Sequence, residues 1–340
     1  MTERAMAKIV KIKDVIKHPN ADSLDICTVG GWKVVTKINE FKKDELVVYF
    51  EIDSWIPTEI APFLSKGNDP KEFNLIKGER LRTAKLRGVV SQGLILPIDP
   101  TCSMIQSQLF EGLDVSAPLN IQKYEPPIPA CLAGEIKGIF PSFVPKTDQE
   151  RIQNLTEELS EYKNYTWEVT EKIDGSSCTM YIRDTEFGVC SRNLDLKPSN
   201  KNTFWSIAIC NDVEMKLQNL GRNVALQGEV FGEGIQKNPY KIKGQMFYVF
   251  DIYDIDDSRY LSAKERVELV NLLGLEHVPV IDYNYSIPNN NTVAELLVFA
   301  ESKSILHRNA EREGLVFKCI ENPTISFKVI SNKFLLKNEG

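Results

Sequence analysis

The residues best suited to carry out chemistry lie at 171–176, where the chain reads Glu171-Lys172-Ile173-Asp174-Gly175-Ser176. The apolar residues around position 170 predict a strand over 165–173, and the Asp-Gly pair predicts a turn after it. A lysine at the end of a strand can project its amine into a cleft floored by the sheet and act there as a nucleophile. The alternative is a lysine beside an ordinary hairpin turn, and this motif alone does not decide between the two.

A nucleophilic lysine must first lose its proton. A free lysine amine has a pKa of about 10.4, so it is almost fully protonated near neutral pH. Lowering that pKa by about three units requires about 4 kcal/mol of differential stabilisation of the neutral amine. Partial burial, the cationic side chains of Lys318 and Lys328, and a nearby metal ion are the candidate sources of that stabilisation.

Further polar motifs follow Lys172 in order along the chain. They are Ser191-Arg192-Asn193, Leu226-Gln227-Gly228-Glu229, Phe247-Tyr248-Val249-Phe250-Asp251-Ile252, Glu313-Gly314-Leu315-Val316-Phe317-Lys318 and Ser326-Phe327-Lys328. Over about 165–330 this series resembles the nucleotidyltransferase motifs of the covalent superfamily of ATP-dependent ligases and mRNA capping enzymes. One position departs from the pattern, because related ligases often carry a lysine where this chain has Ser326.

The resemblance implies a set of roles for these residues. Lys172 would attack the α-phosphorus of ATP to form a lysyl-AMP, with Glu229, Glu313 and Lys328 as the other catalytic residues. Glu229 would act on the AMP ribose, and Glu313 would hold the catalytic Mg²⁺ or Mn²⁺, cations that need few carboxylates because they retain several waters. The implied nucleotide-binding set is Arg151, Lys172, Asp174, Gly175, Arg192, Glu229, Phe250, Lys318 and Lys328.

Two of these expectations have structural alternatives. Phe250 shares a strand face with Tyr248, so it fits a hydrophobic core as well as an adenine platform. Asp251 and Asp254 have the composition of a second acidic pair for a metal, but a solvated strand end is the simpler interpretation. Cys178 is expected to be buried packing.

The N-terminal third carries a second resemblance. The segments His18-Pro19-Asn20-Ala21-Asp22-Ser23-Leu24 and Leu86-Arg87-Gly88-Val89-Val90-Ser91-Gln92-Gly93-Leu94 are similar to the tRNA-binding OB modules of synthetases and their cofactors. A basic run nearby predicts contacts with a nucleic-acid backbone through Arg80, Arg82, Lys85 and Arg87. The alternative for such a run is a solvated face. Trp32 and Trp55 are expected in the core.

The elements that must position these residues divide into two parts. Five short strands in about 100 residues predict an OB-like β-barrel domain over 1–123, and a proline-rich segment predicts a linker over 124–146. Thr147 and Glu150 have the spacing of a capping box, which predicts a helix within 147–164. Strands interleaved with helices at about 203–220, 262–273 and 292–302 predict an α+β adenylyltransferase domain with antiparallel sheets over 147–340.

Composition limits the classes of protein that remain. The 340 residues carry a formal net charge of -6, which argues against coating nucleic acid by bulk charge but allows a local basic groove. No apolar run approaches the ~18 residues of a membrane span, so no membrane partner is expected. Seven scattered cysteines without a C-x-x-C motif favour free thiols in a reducing compartment, and we expect an intracellular, cytoplasmic monomer.

An OB module before the ligase motifs, joined through residues 146–151, is similar to the nick-sealing RNA ligases with an N-terminal OB domain. That resemblance implies ATP-dependent sealing of 3′-OH and 5′-phosphate ends, at nicked duplexes or broken RNA ends, with RNA on the 3′-OH side. An RNA- or tRNA-binding protein with an inactive transferase-like domain is one alternative, and a DNA ligase is another. Capping enzymes and DNA ligases usually carry the OB domain after the last lysine motif.

Overall fold

The computed structural model describes residues 4–103, 105, 108–125 and 134–338. The chain forms two compact units. The first comprises residues 1–126, 153–156 and 335–340, and the second comprises residues 127–152 and 157–334. Each unit has its own hydrophobic core.

The first unit is built from short strands. They are β1 (Ala7–Lys11), β2 (Asp14–Lys17), β3 (Leu24–Val29), β4 (Trp32–Lys37), β5 (Leu46–Phe50), β6 (Ser54–Pro57), β7 (Lys71–Phe73), β8 (Ile76–Arg80), β9 (Ala84–Leu86), β10 (Val89–Ser91), β11 (Leu94–Pro97) and β12 (Gln122–Lys123). Their sheets have the orders β1-β5-β11, β2-β3-β4, β12-β6-β8-β7 and β10-β9. A short helix, α1 (Ile98–Thr101), and a 3-10 turn at Pro62–Ser65 complete the unit.

Alternating burial explains why these segments are strands. Along β4, Lys33 and Lys37 are exposed while Trp32, Val34 and Thr36 are buried. Trp32 and Trp55 are each 2% exposed, which confirms that both belong to the core. The sequence interpretation found β1 to β5 and β11 but missed the short strands between residues 54 and 91.

The second unit contains an eight-stranded sheet. Its strands are β13 (Ile136–Ile139), β16 (Ser176–Arg183), β17 (Glu186–Cys190), β18 (Leu194–Leu196), β19 (Val224–Gly232), β20 (Gln245–Asp254), β21 (Arg259–Tyr260) and β22 (Glu276–His277). The order is β13-β18-β17-β16-β19-β20-β21, with β22 parallel to β20. All other neighbours in this sheet are antiparallel, as predicted.

A five-stranded sheet carries the remaining strands of the unit. They are β14 (Glu150–Arg151), β15 (Thr166–Lys172), β23 (Val280–Ser286), β24 (Gly314–Cys319) and β25 (Ser326–Ile330), in the order β14-β25-β24-β15-β23. The helices in the second half of the chain are α2 (Leu159–Tyr162), α3 (Thr203–Cys210), α4 (Val213–Gln218), α5 (Ala263–Leu272), α6 (Val293–Ala300) and α7 (Asn332–Asn338). The α+β class is therefore confirmed.

The helices predicted at about 262–273 and 292–302 both begin at a capping box. Ser262 and Glu265 form a capping box at the start of α5, and Thr292 and Glu295 form another at the start of α6. The helix predicted over 203–220 is divided into α3 and α4, because Asp212 adopts a positive φ of 50° between them.

The structure differs from the sequence interpretation at two places within residues 124–164. Residues 126–133 of the predicted linker lie outside the described residues, and Ile136–Ile139 within it form β13, which pairs with β18. The capping box at Thr147 predicts a helix within 147–164, but most of these residues are not α-helical. Glu150 instead pairs in parallel with Phe327 on β25, so sheet pairing overrides local helix propensity, and only α2 is α-helical within 147–164.

Other described features bear on the expected environment. No helix among the described residues is long and apolar enough to cross a membrane. The six cysteines within the described ranges are all free thiols. Cys178 is fully buried in the core of the second unit, as predicted.

Candidate active site and nucleic-acid surface

Two neighbouring strands of the five-stranded sheet bring Lys172 and Glu313 together. Lys172 ends β15 and pairs with Gly314, the first residue of β24, so Glu313 lies immediately beside it. The Lys172 Nζ atom is 2.8 Å from Glu313 Oε1 and 2.9 Å from Oε2. The backbone register therefore places the predicted nucleophile against the predicted metal ligand, although the two residues are far apart in sequence.

Glu229 reaches the same place from the eight-stranded sheet. It lies on β19 opposite Ser177, which follows the Lys172 turn on β16. Burial raises the pKa of Glu229 to about 8, and the negative charges of Glu313 and Asp174 add to this shift while Lys172 opposes it. The site thus concentrates three carboxyl groups around one lysine amine.

The charges around Lys172 favour its protonated form. Burial lowers the pKa of Lys172, but the carboxylates of Glu313 and Glu229 outweigh burial, and the net pKa lies above the usual value. The side chains around Lys172 therefore do not lower its pKa, contrary to the expectation. Lys318 does not approach the amine, so it contributes no cation there.

The turn after Lys172 is held by residues that the sequence analysis did not identify. The backbone N–H of Asp174 donates to the hydroxyl of Tyr240 over 2.7 Å, and the Gln236 side chain donates to the carbonyl of Gly175 over 3.1 Å. A Cβ atom at Gly175 would lie 2.4 Å from the Val230 carbonyl oxygen, so only glycine fits. A tyrosine 66 residues from Asp174 gives no local sequence signal of this contact.

A second group of charged residues, three basic and one acidic, forms around the paired strands β14 and β25. Arg151 pairs in register with Lys328 through β14 and β25. The Arg192 guanidinium donates to both Asp148 oxygens at 2.9 Å, and Lys328 Nζ is 3.8 Å from Asp148 Oδ1. The structure thus brings Arg151, Arg192 and Lys328 together as predicted, and it adds Asp148, which sequence reasoning missed.

Lys318 takes a different position from the one expected of a nucleotide-binding residue. It pairs with Glu168 on β15, four residues from Lys172, which is about 13 Å along a strand. Its ammonium forms a buried ion pair with Asp251 and lies 3.5 Å from the Phe250 carbonyl oxygen. The geometry therefore does not bring Lys318 to the Lys172 site.

The two aspartates of β20 are also not as expected. Asp251 and Asp254 are both 4% exposed, so the interpretation as a solvated strand end is wrong. Asp251 pairs with Lys318, and Asp254 lies 3.5 Å from Arg222. Phe250 packs partly buried against the cluster that contains Ile173 and Tyr240, next to the Lys172 turn.

The residues at the Lys172 site suit a small divalent cation. The carboxylates of Glu313 and Glu229 are oxygen ligands that Mg²⁺ and Mn²⁺ accept. The pKa of Glu229 is raised first by burial and then by the negative charges of Glu313 and Asp174, and a cation would offset the repulsion between these carboxylates. Among the described residues, no group of three or more His, Cys, Asp or Glu side chains forms a closed metal cage. An open site of few carboxylates fits a cation that also binds a phosphate substrate.

In the first unit, the two segments that resemble OB modules meet at the β9–β10 hairpin. The His18 ring nitrogen Nε2 lies 3.0 Å from the Leu86 carbonyl oxygen, and the Asn20 side chain donates to the Arg87 carbonyl at 3.0 Å. Arg87 and Gly88 form the two-residue turn, both with positive φ. Arg82, Lys85 and Arg87 are exposed on or beside this hairpin.

Arg80 differs from the other three basic residues. Its guanidinium donates twice to Asp53, at 2.6 and 3.1 Å, and lies 5.1 Å from the centre of the Tyr124 ring. The charge and the flat face of Arg80 thus serve the fold of the first unit, and its contact with nucleic acid stays a prediction.

Comparisons with known proteins agree with this fold and site. Residues 165–332 match the RNA ligase family model, and residues 6–98 match an OB-fold domain model. A search of curated protein sequences gives no match. Two solved structures of Naegleria gruberi RNA ligase are each 44% identical to this chain, with a TM-score of 0.90 and coverage of 99% of both chains. One is a glutamate-to-alanine mutant and the other a lysine-to-methionine mutant, both with AMP and Mn. The same ligase with PPi is 45% identical at a TM-score of 0.90, again covering 99% of both chains.

The fold and site thus define a covalent nucleotidyltransferase with an N-terminal OB-fold domain. The identity over the full length shows the family, and this chain belongs to the RNA ligase family. The predicted class of protein and its OB-fold domain are confirmed.

Proposed function

We propose that this protein is an ATP-dependent RNA ligase that seals a 3′-OH to a 5′-phosphate through a lysyl-AMP on Lys172. The observation that carries the proposal is the pairing of Lys172 with Glu313 beside Glu229. A degenerate binding module would not need to keep a lysine in contact with one carboxylate and close to a second. Solved structures of the Naegleria ligase with ATP and Mn support the same substrate and cation here.

The first step transfers AMP to the enzyme. The Lys172 amine releases its proton to solvent and bonds to the α-phosphorus of ATP, while the bond from that phosphorus to the pyrophosphate oxygen breaks and pyrophosphate leaves. Glu313 would hold a divalent cation, which would supply positive charge for the phosphate oxygens and offset the carboxylate charge beside Lys172. Arg151 and Lys328 bind phosphate oxygens, Phe250 lies against adenine, and Glu229 acts at the ribose.

The second and third steps join the strands. An oxygen of the 5′-phosphate attacks the AMP phosphorus, and the Lys172 amine leaves. The 3′-hydroxyl then attacks the activated 5′-phosphate, and AMP leaves as the phosphodiester forms. We assign Arg192 to the acceptor phosphate, because it lies on the same side as Lys328 through their shared contact with Asp148.

The first unit serves as the nucleic-acid-binding domain in this proposal. Arg82, Lys85 and Arg87 would contact backbone phosphates, presented by a hairpin that His18 and Asn20 hold. We place the domain boundary near residue 126, where the described units divide, and expect a cytoplasmic monomer that acts on nicked duplexes or broken RNA ends. The free cysteines favour such a reducing compartment.

A sealing assay with a matched variant tests the covalent mechanism. Lys172→Ala is expected to seal nothing from ATP and a 5′-phosphate, yet to join a chemically pre-adenylated 5′ end, because that substrate bypasses the lysyl-AMP. AMP transfer by the variant would refute the role of Lys172. All-RNA, all-DNA and mixed nicks are compared in the wild-type protein, and equal rates with DNA on the 3′-OH side would favour a DNA ligase instead.

The hairpin is tested by salt-dependent RNA binding. Arg82→Ala, Lys85→Ala and Arg87→Ala together are expected to lower the slope of log affinity against log salt by about 0.9 per lost phosphate contact. Lys42→Ala with Lys43→Ala, two exposed lysines in the same unit, serves as the control. Identical slopes in both variants would refute a nucleic-acid role for the hairpin.

A further inference from the structure

A lysine-bearing loop adjoins the Lys172 turn and has no assigned role. This lysine loop, residues 233–244, connects β19 to β20. It carries Lys237, Lys241 and Lys243, all exposed, and its one acidic residue is Glu233 at its base. Three lysines within seven residues make this a local positive surface in a protein whose net charge is -6.

The lysine loop is ordered by its own hydrogen bonds. Glu233 N–H donates to the Gly244 carbonyl at 2.7 Å, which closes the ends of the loop. Asn238 bonds the backbone of Ile242 in both directions, at 2.9 and 3.1 Å. A compact loop with joined ends and internal bonds has an ordered backbone, so binding would cost little backbone ordering entropy.

Apolar residues of the loop fix it to the core beside the site. Tyr240 is 1% exposed and packs with Ile242 in the cluster that contains Ile173, the neighbour of Lys172. Through the Tyr240 hydroxyl and the Gln236 amide, the loop also bonds the backbone of Asp174 and Gly175. The lysine loop is therefore held rigidly at the edge of the active site.

Two of the three loop lysines, Lys241 and Lys243, carry charges that the described residues do not pair. In the part of the chain that the structure describes, neither Lys241 nor Lys243 forms an ion pair with a carboxylate. The adjoining site is acidic, with Asp174, Glu229 and Glu313 close together, and it would repel an approaching polyanion. Exposed, unpaired lysines on an ordered loop can offset that repulsion.

We infer that the lysine loop binds backbone phosphates of the RNA next to the nick, through Lys241 and Lys243. The inference rests on the proposed ligase function and adds a second RNA contact surface, in the second unit. The proposed function already assigns Arg151 and Lys328 to the ATP phosphates and Arg192 to the acceptor phosphate. Within the second unit, no residue is yet assigned to the RNA backbone beyond the nick.

The test compares two double variants of equal charge. Lys241→Ala with Lys243→Ala removes the proposed contacts, and Lys201→Ala with Lys264→Ala removes two exposed lysines elsewhere in the same unit. Binding of a nicked RNA duplex with a pre-adenylated 5′ end is measured by fluorescence anisotropy from 50 to 200 mM NaCl without ATP. Self-adenylation with ATP labelled at the α-phosphate is measured in parallel.

The loop variant is expected to bind the duplex about tenfold more weakly at 200 mM salt, with a log–log salt slope smaller by about 2. Its rate of self-adenylation and KM for ATP should equal those of the wild type. Lys241→Arg with Lys243→Arg should restore binding, because the positive charges return. That rescue separates lost contacts from a loop that fails to fold.

Two results would overturn the inference. Equal duplex affinity and salt slope in the loop and control variants would mean that the lysines do not contact RNA. A raised KM for ATP with unchanged duplex affinity would assign them to the ATP phosphates instead. A wild-type protein that forms no lysyl-AMP would refute the proposed function, and the duplex-binding comparison would still report on the loop.

Discussion

The ion pair between Lys318 and Asp251 gives a prediction that separates a structural lysine from a nucleotide-binding one. Their side chains are only 8% and 6% exposed, and the pair joins β24 of one sheet to β20 of the other. Burial lowers the pKa of Lys318, and Asp251 opposes this by stabilising the ammonium. The Tyr260 ring lies 5.8 Å from the same ammonium.

Removing one partner leaves the other charge buried and unpaired. Lys318→Met is therefore expected to lower the free energy of unfolding by about 3–5 kcal/mol. Asp251→Asn should cost a similar amount for the same reason. The double variant, Lys318→Met with Asp251→Asn, removes both charges and should recover about 2 kcal/mol of the summed loss, as expected for residues in direct contact.

Urea unfolding, followed by far-ultraviolet circular dichroism, measures these differences. Self-adenylation at a temperature where Lys318→Met remains folded should give the wild-type KM for ATP, since the ammonium lies about 13 Å along the strand from Lys172. A stable Lys318→Met variant with a strongly raised KM for ATP would contradict the structural role. It would return Lys318 to the nucleotide-binding set.

Three further predictions follow from individual side chains. Burial lowers the pKa of His277 to about 4, whereas in the unfolded chain it is about 6.5. The free energy of unfolding should therefore fall by up to about 1.4 kcal/mol per pH unit between pH 6.5 and pH 4, because the unfolded chain takes up a proton there and the folded protein does not. Urea unfolding at several pH values should show a weaker pH dependence for His277→Gln. Gly175→Ala should cost about 1–3 kcal/mol and slow self-adenylation, because its Cβ would lie 2.4 Å from a carbonyl oxygen, whereas Ser176→Ala should leave both nearly unchanged. Arg80→Ala should lower thermal stability through the loss of its bonds to Asp53 and leave the salt slope of RNA binding unaltered; a smaller slope would restore Arg80 to the RNA surface.

The strands and the main catalytic residues could be predicted because each depends on a short-range pattern. Alternating burial marks β4, and a strand followed by Asp-Gly places Lys172 at the end of β15. Pairing Lys172 with Glu313 then requires only that β15 and β24 be neighbours in this register. The resemblance of the motifs along the chain to those of ligases predicted that Lys172 and Glu313 act at one site.

The remaining features depend on tertiary contacts that leave no local signal. Glu150 joins β14 because β25 offers it a parallel partner, and this outweighs the capping-box pattern at Thr147. Lys318 lies four residues along β24 from Gly314, the partner of Lys172, and pairs with Glu168. Its distance from Lys172 therefore depends on how the two strands run side by side, which the motif does not show. The Tyr240 contact with Asp174 joins a loop to a turn across 66 residues.

The most direct test of the central claim is to locate the AMP. Protein first shown by intact mass to be free of AMP is incubated with ATP labelled at the α-phosphate and Mg²⁺ or Mn²⁺, then denatured, digested and analysed by peptide mass spectrometry. We expect one AMP on Lys172, none with GTP, and none in Lys172→Met. Label on another residue, or no label in folded protein with ATP and either cation, would contradict it.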